Sequence, residues 1–414
     1  MPWVLRMTMR ISLLALPLYI YVGWRLSTAI STRFPISRRT GRIIVFSVIF
    51  WLYLFPITIG IYHLSGILNQ LFVFDPQLHW QDYLLLFPFW WGFISLLEIF
   101  PFFVVLDIIC LVSRLKMFSF RKKWLVWQAY LKICIVIFFL LYVGMRSYLD
   151  THYVGISTYK VAIKKLPKEF HNLRLCFIGD IHIDRYAQKD KLEKVEESVH
   201  AADIDLLFFS GDLISEGRDY IATALEVMCN PSSKLGSIAC MGDHDFWAAA
   251  FWAAARKVPR EMKKCGWTFL QNEHHLFSYK GHQILVTGVT NIYSRRIKKY
   301  ELERLFANAP DVDAGLKILL VHQPRDFMVE TAAQYGYHLL LAGHTHGGQI
   351  VPHLFGMPIT PSQAETRFYR GRYQYNGLHV IITNGIGLTL APLRYHAPAE
   401  ITRIILVKED ENGL

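Results

Sequence analysis

The sequence is short of charge, its C-terminal part has no basic excess, and its cysteines follow no metal or redox spacing. Asp, Glu, Lys and Arg make up 19% of the 414 residues, against about a quarter in an ordinary soluble domain. With 53% hydrophobic residues, that shortage excludes a disordered or tail-type chain and points to membrane spans. The formal charge of +11 is unevenly spread: residues 1–171 carry 18 Lys/Arg against 6 Asp/Glu, and residues 172–414 carry 26 against 27. The basicity therefore belongs to the hydrophobic part, and a nucleic-acid partner loses its electrostatic footing. The six cysteines form no CxxC pair, which excludes a zinc ribbon or a thioredoxin-like centre. Cys110 and Cys134 sit in apolar runs, and Cys176, Cys229, Cys240 and Cys265 are expected as packed thiols. No repeat relates the apolar runs, so a transporter is a poor reading.

What is present divides into two or more domains by length alone. Residues 1–150 read as a membrane domain of about four transmembrane helices, 151–171 as a linker, and 172–414 as a soluble domain. The runs are Ile11–Trp24, which reaches spanning length only if Arg25 snorkels and the helix continues to Ile30, then Ile43–Tyr62, Tyr83–Val112 and Trp124–Met145. A signal peptide competes for the first run, with Arg6 and Arg10 ahead of it and Ser27-Thr28-Ala29 as a small-residue site. Export there would leave Arg33, Arg38, Arg39 and Arg42 outside, which argues against cleavage. Glu98 and Asp107 fall on opposite faces of the third helix, so each is expected at an interface or paired with Lys132 or a neighbouring helix rather than in a shared ion site. The 25–42 and 113–123 connections carry five basic residues each and no acid, while 63–82 has Asp75 and Asp82 and no Lys or Arg. Loops one and three are then cytoplasmic, and the expectation is a multi-pass protein of the cell (inner) membrane with its C-terminal domain on the extracytoplasmic face. Arg6, Arg10, Arg146 and Lys160 stand against that orientation.

From residue 172 the pattern becomes short, β-rich apolar runs that end in polar signatures: LRLCFIGDIH, IDLLFFSGD, GSIACMGDHD, KILLVHQP and YHLLLAGHTH. Strands alternating with loops or helices indicate an α/β arrangement with a site along the strand ends. Packing alone does not explain five runs that each deliver Asp or His at the same end. The polar set is Asp180, His182, Asp212, Asp243, His244, His322, His344 and His346. Carboxylates and neutral imidazoles suit divalent Mn, Fe or Zn, and two such ions about 4 Å apart need a shared carboxylate with ligands on both sides.

The ordered series GDxH, GDxxxxG, GDHD, VHQP and GHTHGGQ resembles the calcineurin-like metallophosphoesterases, in particular their membrane-associated YkuE/YaeI-like branch. The resemblance runs over residues 172–414. It includes Phe246-Trp247, Leu270-Gln271-Asn272-Glu273, Asn384-Gly385-Ile386-Gly387, Pro392-Leu393-Arg394 and Pro398-Ala399-Glu400-Ile401. It implies an α/β fold, a β-sandwich with flanking helices, and two divalent metal ions. Asp180, His182 and His346 would bind one ion, Asp243, His322 and His344 the other, and Asp212 would bridge. His244 would stand beside the phosphate as the acid, since an imidazole can protonate a leaving oxygen near neutral pH.

Two positions depart from the family pattern. Asp243 stands where the motif commonly has Asn, which adds a negative charge. Ser215, followed by Glu216, stands where many relatives carry an Asp that orients the catalytic His, so the orienter of His244 is open.

The functional expectation is a membrane-anchored hydrolase of a phosphodiester or pyrophosphate bond. Its partners would be membrane lipids and a phosphorylated lipid or nucleotide-type substrate from the envelope. A UDP-2,3-diacylglucosamine diphosphatase of lipid A synthesis is an alternative that the branch resembles, but its substrate is made on the cytoplasmic face. A non-catalytic metal-binding receptor is a second alternative, disfavoured because every ligand position holds carboxylate or imidazole. Phe246, Trp247, Phe251 and Trp252 read as a core or interface helix before a lipid-facing lid. Arg295, Arg296, Lys298 and Lys299 read as solvated surface before a headgroup contact. Arg394 is a weak candidate for a phosphate clamp.

Overall fold

The computed structural model of the chain describes all residues except 1, 76, 117–120, 188, 202, 216–219, 230–232, 248–252 and 410–414. Two compact units emerge. One comprises Met1–Leu149 with Ile350–Ile359 and Leu390–His396, the other Asp150–Gln349 with Thr360–Thr389 and Ala397–Leu414.

The first unit is helical: α1 (Trp3–Arg33), α2 (Arg38–Leu52), α3 (Leu54–Leu64), α4 (Phe87–Lys116) and α5 (Arg121–His152). Three apolar stretches, Trp3–Arg33, Asp82–Val112 and Trp124–His152, are long enough to cross a bilayer. The run Ile43–Tyr62, expected as one continuous span, is instead α2 and α3 bent by 51°; the pair counts as a fourth span only if it crosses as a broken helix. Large apolar side chains face outward along the helices, among them Leu14, Phe50, Leu64, Phe138 and Leu141. Patches of this kind mark a surface that contacts lipid or another protein. The acids inside the spans are paired, as expected. Asp107 takes Tyr21 Oη at 2.6 Å, Arg25 Nε at 2.5 Å and Lys132 Nζ at 2.6 Å. Glu98 Oε1 accepts from Tyr395 Oη at 2.9 Å and from the His353 amide at 3.0 Å. Both partners of Glu98 come from the late segments that this unit recruits. Arg394, in the same segment as Tyr395, is fully buried.

The second unit is a sandwich of two six-stranded sheets. In chain order its elements are β1 (Val154–Ile163), β2 (Arg174–Ile178), α6 (Lys189–Ala201), β3 (Leu206–Phe209), α7 (Ile221–Cys229), β4 (Gly236–Ala239), α8 (Asp243–Trp247) and α9 (Ala253–Lys264). They continue with β5 (Trp267–Phe269), β6 (Glu273–Tyr279), β7 (His282–Val289), α10 (Lys299–Ala307), β8 (Ala314–Val321), α11 (Asp326–Gln334), β9 (Leu339–Ala342), β10 (Gly371–Tyr375), β11 (Leu378–Ile382) and β12 (Ala399–Lys408). The sheets run β1-β12-β2-β3-β4-β5 and β10-β11-β9-β8-β7-β6. Residues 151–171, read from composition as a connection, contain β1, which pairs in parallel with β12 from Val154↔Ala399 to Ile163↔Lys408.

Strand alternation sorts the side chains into layers. Leu175, Phe177, Leu206, Phe208 and Ile238 meet Ile318, Leu320, Leu339, Leu341 and Ile381 in the core between the sheets. The intervening Cys176, Ile178, Leu207, Phe209 and Ala239 face outward under α6, α7 and α9, whose Leu192, Val195, Met228 and Met262 cover them. On the other sheet Leu319, Val321, Leu340 and Ile382 are covered by Leu302 and Phe306 of α10 and Met328 and Val329 of α11. The runs that read as continuous apolar strands are therefore buried on both faces, as parallel strands under helices must be.

The cysteines bring one correction. Cys176 and Cys240 are buried thiols as expected, but Cys229 and Cys265 form a disulfide with Cα atoms 5.2 Å apart. Thirty-six residues separate them, and only the fold brings the end of α7 to the end of α9.

Candidate metal centre

Register places the motifs together. Ile178 pairs with Phe209, Phe209 with Ala239, and, in the other sheet, Val321 with Ala342. These parallel strands end level, so the residues that follow them converge. Asp180 and His182 follow β2, Asp212 follows β3, Asp243 and His244 open α8 after β4, His322 follows β8, and His344 and His346 follow β9. All eight residues of the expected set thus lie at the carboxyl ends of strands.

Tight loops hold them. Asp180, His182, Asp212, His344 and His346 have φ between 45° and 70°, a region that costs a non-glycine residue of order 1–3 kcal/mol and persists only where neighbours over-determine it. The neighbours are identifiable: the Asp180 amide donates to Gly211 O at 3.0 Å, the His182 amide to Asp212 O at 3.0 Å, and the Gly387 amide to Asp180 O at 2.7 Å. The glycines before Asp212 and Asp243 serve the same packing. A Cβ on Gly211 would lie 2.2 Å from Gly242 N, and one on Gly242 would lie 2.2 Å from Asp212 N.

The side chains form one buried cluster. Four sets of three ligand atoms lie mutually within 4.8 Å: Asp180, His182 and His346; Asp243, His322 and His344; Asp180, Asp212 and His322; His182, Asp212 and His244. Asp212 Oδ2 is 3.3 Å from His182 Nε2 and also 3.3 Å from His322 Nε2. His182 Nε2 and His346 Nε2 face each other at 3.0 Å.

His322 Nδ1 lies 2.9 Å from Ser210 O. A carbonyl only accepts, so Nδ1 carries the proton. In the neutral ring Nε2 then points a lone pair at Asp212 Oδ2 and, at 3.4 Å, at Asp243 Oδ2. Buried lone pairs converging on carboxylates are repulsive unless a proton or a cation stands among them.

Charge perturbations tell the same story. Burial pushes Asp180 up to about 6, with His322 opposing and Asp212 adding to the rise. Burial would also raise Asp212, but His322 and His244 beside it pull its carboxyl well below the usual range. His182 is driven down to about 4 by burial, whereas His322 is raised despite burial because Asp212 and Asp243 surround it. Three buried carboxylates with imidazoles whose lone pairs face them fit divalent cations of the Mn, Fe or Zn type. His182 Nδ1 and His322 Nε2 also have no hydrogen-bond partner among the described residues.

The two departing positions have identifiable contacts. His244 Nδ1 lies 2.7 Å from the Ser215 carbonyl oxygen. The Ser215 hydroxyl turns away to Asp184 Oδ2 at 2.8 Å, so residue 215 meets His244 through its backbone carbonyl and not through its side chain. Glu216 lies outside the described residues, as do Phe251 and Trp252. Asp243 has its extra charge matched by donors: Tyr293 N to Oδ1 at 2.6 Å and Gln323 Nε2 to Oδ2 at 2.5 Å.

Sequence reasoning missed two residues. Asp245, fourth in GDHD, is fully enclosed and accepts from the amides of Asp212 at 2.9 Å, Leu213 at 2.8 Å and Gly242 at 3.0 Å. It ties the loop after β3 to the loop after β4, and the motif itself was the available signal. Glu365 approaches His344 Nε2 at 3.2 Å, takes the Tyr293 hydroxyl, and pairs with Arg325 at 3.3 Å. The His344 contact and the Tyr293 hydroxyl hold its carboxyl down at about 2. No sequence pattern around Glu365 announces it.

Residues 173–348 match the calcineurin-like phosphoesterase family. This segment is a calcineurin-like phosphoesterase domain. The chain is 28% identical to metallophosphoesterase YkuE of Bacillus subtilis over 269 residues, covering 63% of this chain and 87% of that protein. It is 26% identical to the transmembrane protein with metallophosphoesterase domain of Danio rerio, over 60% of this chain and 56% of the other. Phosphodiesterase YaeI of Escherichia coli is 24% identical over 56% of this chain and 82% of its own length. The calcineurin-like domain makes the protein a metal-dependent phosphoester hydrolase, and its apolar helices, with relatives described as transmembrane, associate it with a membrane.

Proposed function

We propose that the protein is a membrane-anchored, dinuclear phosphoesterase that cleaves a phosphodiester or pyrophosphate bond in a lipid-linked or envelope-derived molecule. Residues 1–150 serve as the anchor and 172–414 as the catalytic part. Asp180, His182 and His346 hold one divalent ion, Asp243, His322 and His344 hold the second, and Asp212 is shared. The observation that carries this reading is the single oxygen Asp212 Oδ2, equidistant from His182 Nε2 and His322 Nε2 at 3.3 Å. One carboxylate oxygen between imidazoles of two ligand sets is what a bridging ligand requires.

Divalent ions bound there supply Lewis acidity toward the phosphoryl oxygens and the attacking water. The chain's own residues do the rest. Ser210 O fixes the His322 tautomer so that Nε2 faces the cluster, a hydrogen bond of the kind that raises ligand basicity. Ser215 O takes the Nδ1 proton of His244 in a hydrogen bond, which supports an imidazolium able to donate its other proton to the leaving oxygen. The His244 amide donates to Asp212 Oδ1 at 2.7 Å, coupling the acid's position to the bridging carboxylate.

An extracytoplasmic catalytic domain has two independent supports. Loop charge favours it, and a disulfide between Cys229 and Cys265 suits an oxidising compartment. A bilayer anchor in turn favours a substrate that resides in the bilayer. The deciding experiment is hydrolysis by the detergent-solubilised full chain, loaded with Mn, Fe or Zn, of a panel of diesters, nucleotide diphosphate sugars and phospholipids. Metal-loaded protein that turns over none of these classes would sink the catalytic reading and leave a metal-binding receptor.

A further inference from the structure

A cavity of about 730 Å³ opens along the loop after β7 and the start of α10, a volume in the range of small-molecule sites. Its polar lining is dominated by Arg295, Arg296 and Arg304, with Asn272, Thr290 and Glu301. None of the three arginines is paired with a carboxylate among the described residues. The single acid is already engaged, since Glu301 Oε2 accepts from the Lys298 amide at 2.8 Å and caps the start of α10. The lining therefore sets three guanidinium groups against one carboxylate and is net positive, and guanidinium groups bind phosphate oxygens through paired N–H donors.

The loop that carries these groups also touches the metal cluster. Its Tyr293 amide donates to Asp243 Oδ1 at 2.6 Å, and its ring lies edge-on to His344 with centroids 5.3 Å apart. Arg296 stacks over that Tyr293 ring at 5.4 Å. Arg295 stacks over Phe246 at 4.7 Å, two residues after the expected acid His244. Each guanidinium is thus held within cation–π distance of a ring on or next to the loops of the cluster. The basic cluster read from sequence as solvated surface is exposed, as expected, and two of its members, Arg295 and Arg296, line a cavity on the loop that carries Tyr293.

We infer that this cavity binds a second phosphate group of the substrate, one that is not cleaved, so that the natural substrate carries at least two phosphoryl groups. The inference rests on the phosphoesterase reading for the word substrate, but the anion site itself does not.

Pyrophosphate titrated calorimetrically into EDTA-treated full-length protein, in phosphatidylcholine nanodiscs, tests the site without catalysis. R295Q/R296Q should weaken binding about tenfold or more, the loss expected for charge-assisted hydrogen bonds. Thermal unfolding of the variant separates misfolding from lost binding, and both substituted arginines are exposed side chains whose replacement the fold tolerates. Equal affinity in well-folded R295Q/R296Q overturns the inference. So does competition by phosphatidylglycerol nanodiscs that the double variant abolishes, because that assigns the cavity to bilayer headgroups. With metal restored, the ratio of kcat/KM for a nucleoside diphosphate ester over bis(p-nitrophenyl) phosphate should fall about tenfold in R295Q/R296Q. If the unaltered protein hydrolyses neither compound, the phosphoesterase reading fails, while the pyrophosphate titration still decides the cavity.

Discussion

The carbonyl oxygen of Ser215 stands 2.7 Å from His244 Nδ1, a backbone contact at the position, three residues after Asp212, where the family pattern often has an Asp side chain. A carbonyl can steady an imidazolium but cannot share its proton. This contact is made by a group that no side-chain substitution at 215 removes.

His244→Ala should keep its metals and lose rate. The loss should be about 10²–10⁴-fold on an alkyl phosphodiester, the usual contribution of a general acid, and much smaller on an activated aryl diester whose leaving group needs no proton. Steady-state rates on the two substrates, with metal content by mass spectrometry, give the comparison. Equal losses would show that His244 is not acting mainly as the acid.

The shared oxygen of Asp212 leads to a prediction about occupancy. Asp212→Asn replaces one carboxylate oxygen by an N–H₂ that cannot ligate, so both metal content and turnover should collapse together. Chelating the unaltered protein should lower its unfolding temperature, because three carboxylates buried without cations repel one another. Two bound ions and ordinary turnover in Asp212→Asn would remove the bridge.

Asp243 makes the site more negative, and its partners show why it is tolerated. Both oxygens accept hydrogen bonds, one from the Tyr293 amide and one from Gln323 Nε2. In Asp243→Asn one of these donors would meet an N–H₂. Turning Gln323 to compensate would withdraw Oε1 from Arg325, which donates to it at 3.0 Å. The variant should therefore stay functional but need more metal for half-maximal activity. Tighter metal binding, or an unchanged metal titration, would mean that the second site is built without Asp243.

Asp245 offers a test of the scaffold apart from the ligands. Its carboxylate satisfies three buried amides, and each amide left without an acceptor costs about 1–3 kcal/mol. Asp245→Ala should lower the unfolding temperature by several degrees and reduce metal retention, since the loop bearing Asp212 and the loop bearing Asp243 lose their common tie. An unchanged unfolding profile would assign the tie to other contacts.

How legible this was in the sequence depends on the kind of contact. The strand runs with their Asp and His tails were readable because burial on both faces forces continuous apolar stretches, and because parallel register brings equivalent strand ends level. The acid partners within the spans were readable in kind, since an uncompensated Asp107 in apolar surroundings is untenable. What escaped was non-local or made by backbone. The Ser215 carbonyl has no side-chain signature, Glu365 reaches His344 across 21 residues, and Cys229 meets Cys265 only through the packing of α7 and α9 beside β5. The bend between α2 and α3 also escaped, because mean apolarity over Ile43–Tyr62 carries no information about where a helix breaks.

The Cys229–Cys265 disulfide and the loop charges together make the orientation testable by two routes that share no assumption. A reporter fused after Leu414 should behave as extracytoplasmic and one in the 113–123 connection as cytoplasmic, because the connections rich in Arg and Lys stay inside. Independently, alkylation without reductant in whole cells should leave Cys229 and Cys265 unmodified until reduction. Replacing both by Ser should destabilise the domain by about 3–4 kcal/mol, the chain-entropy value for a loop of this length. The two results must agree. A cytoplasmic C-terminus with both thiols reduced would overturn the outward-facing domain and favour a substrate made on the cytoplasmic face, such as the UDP-linked acylated sugar of lipid A synthesis.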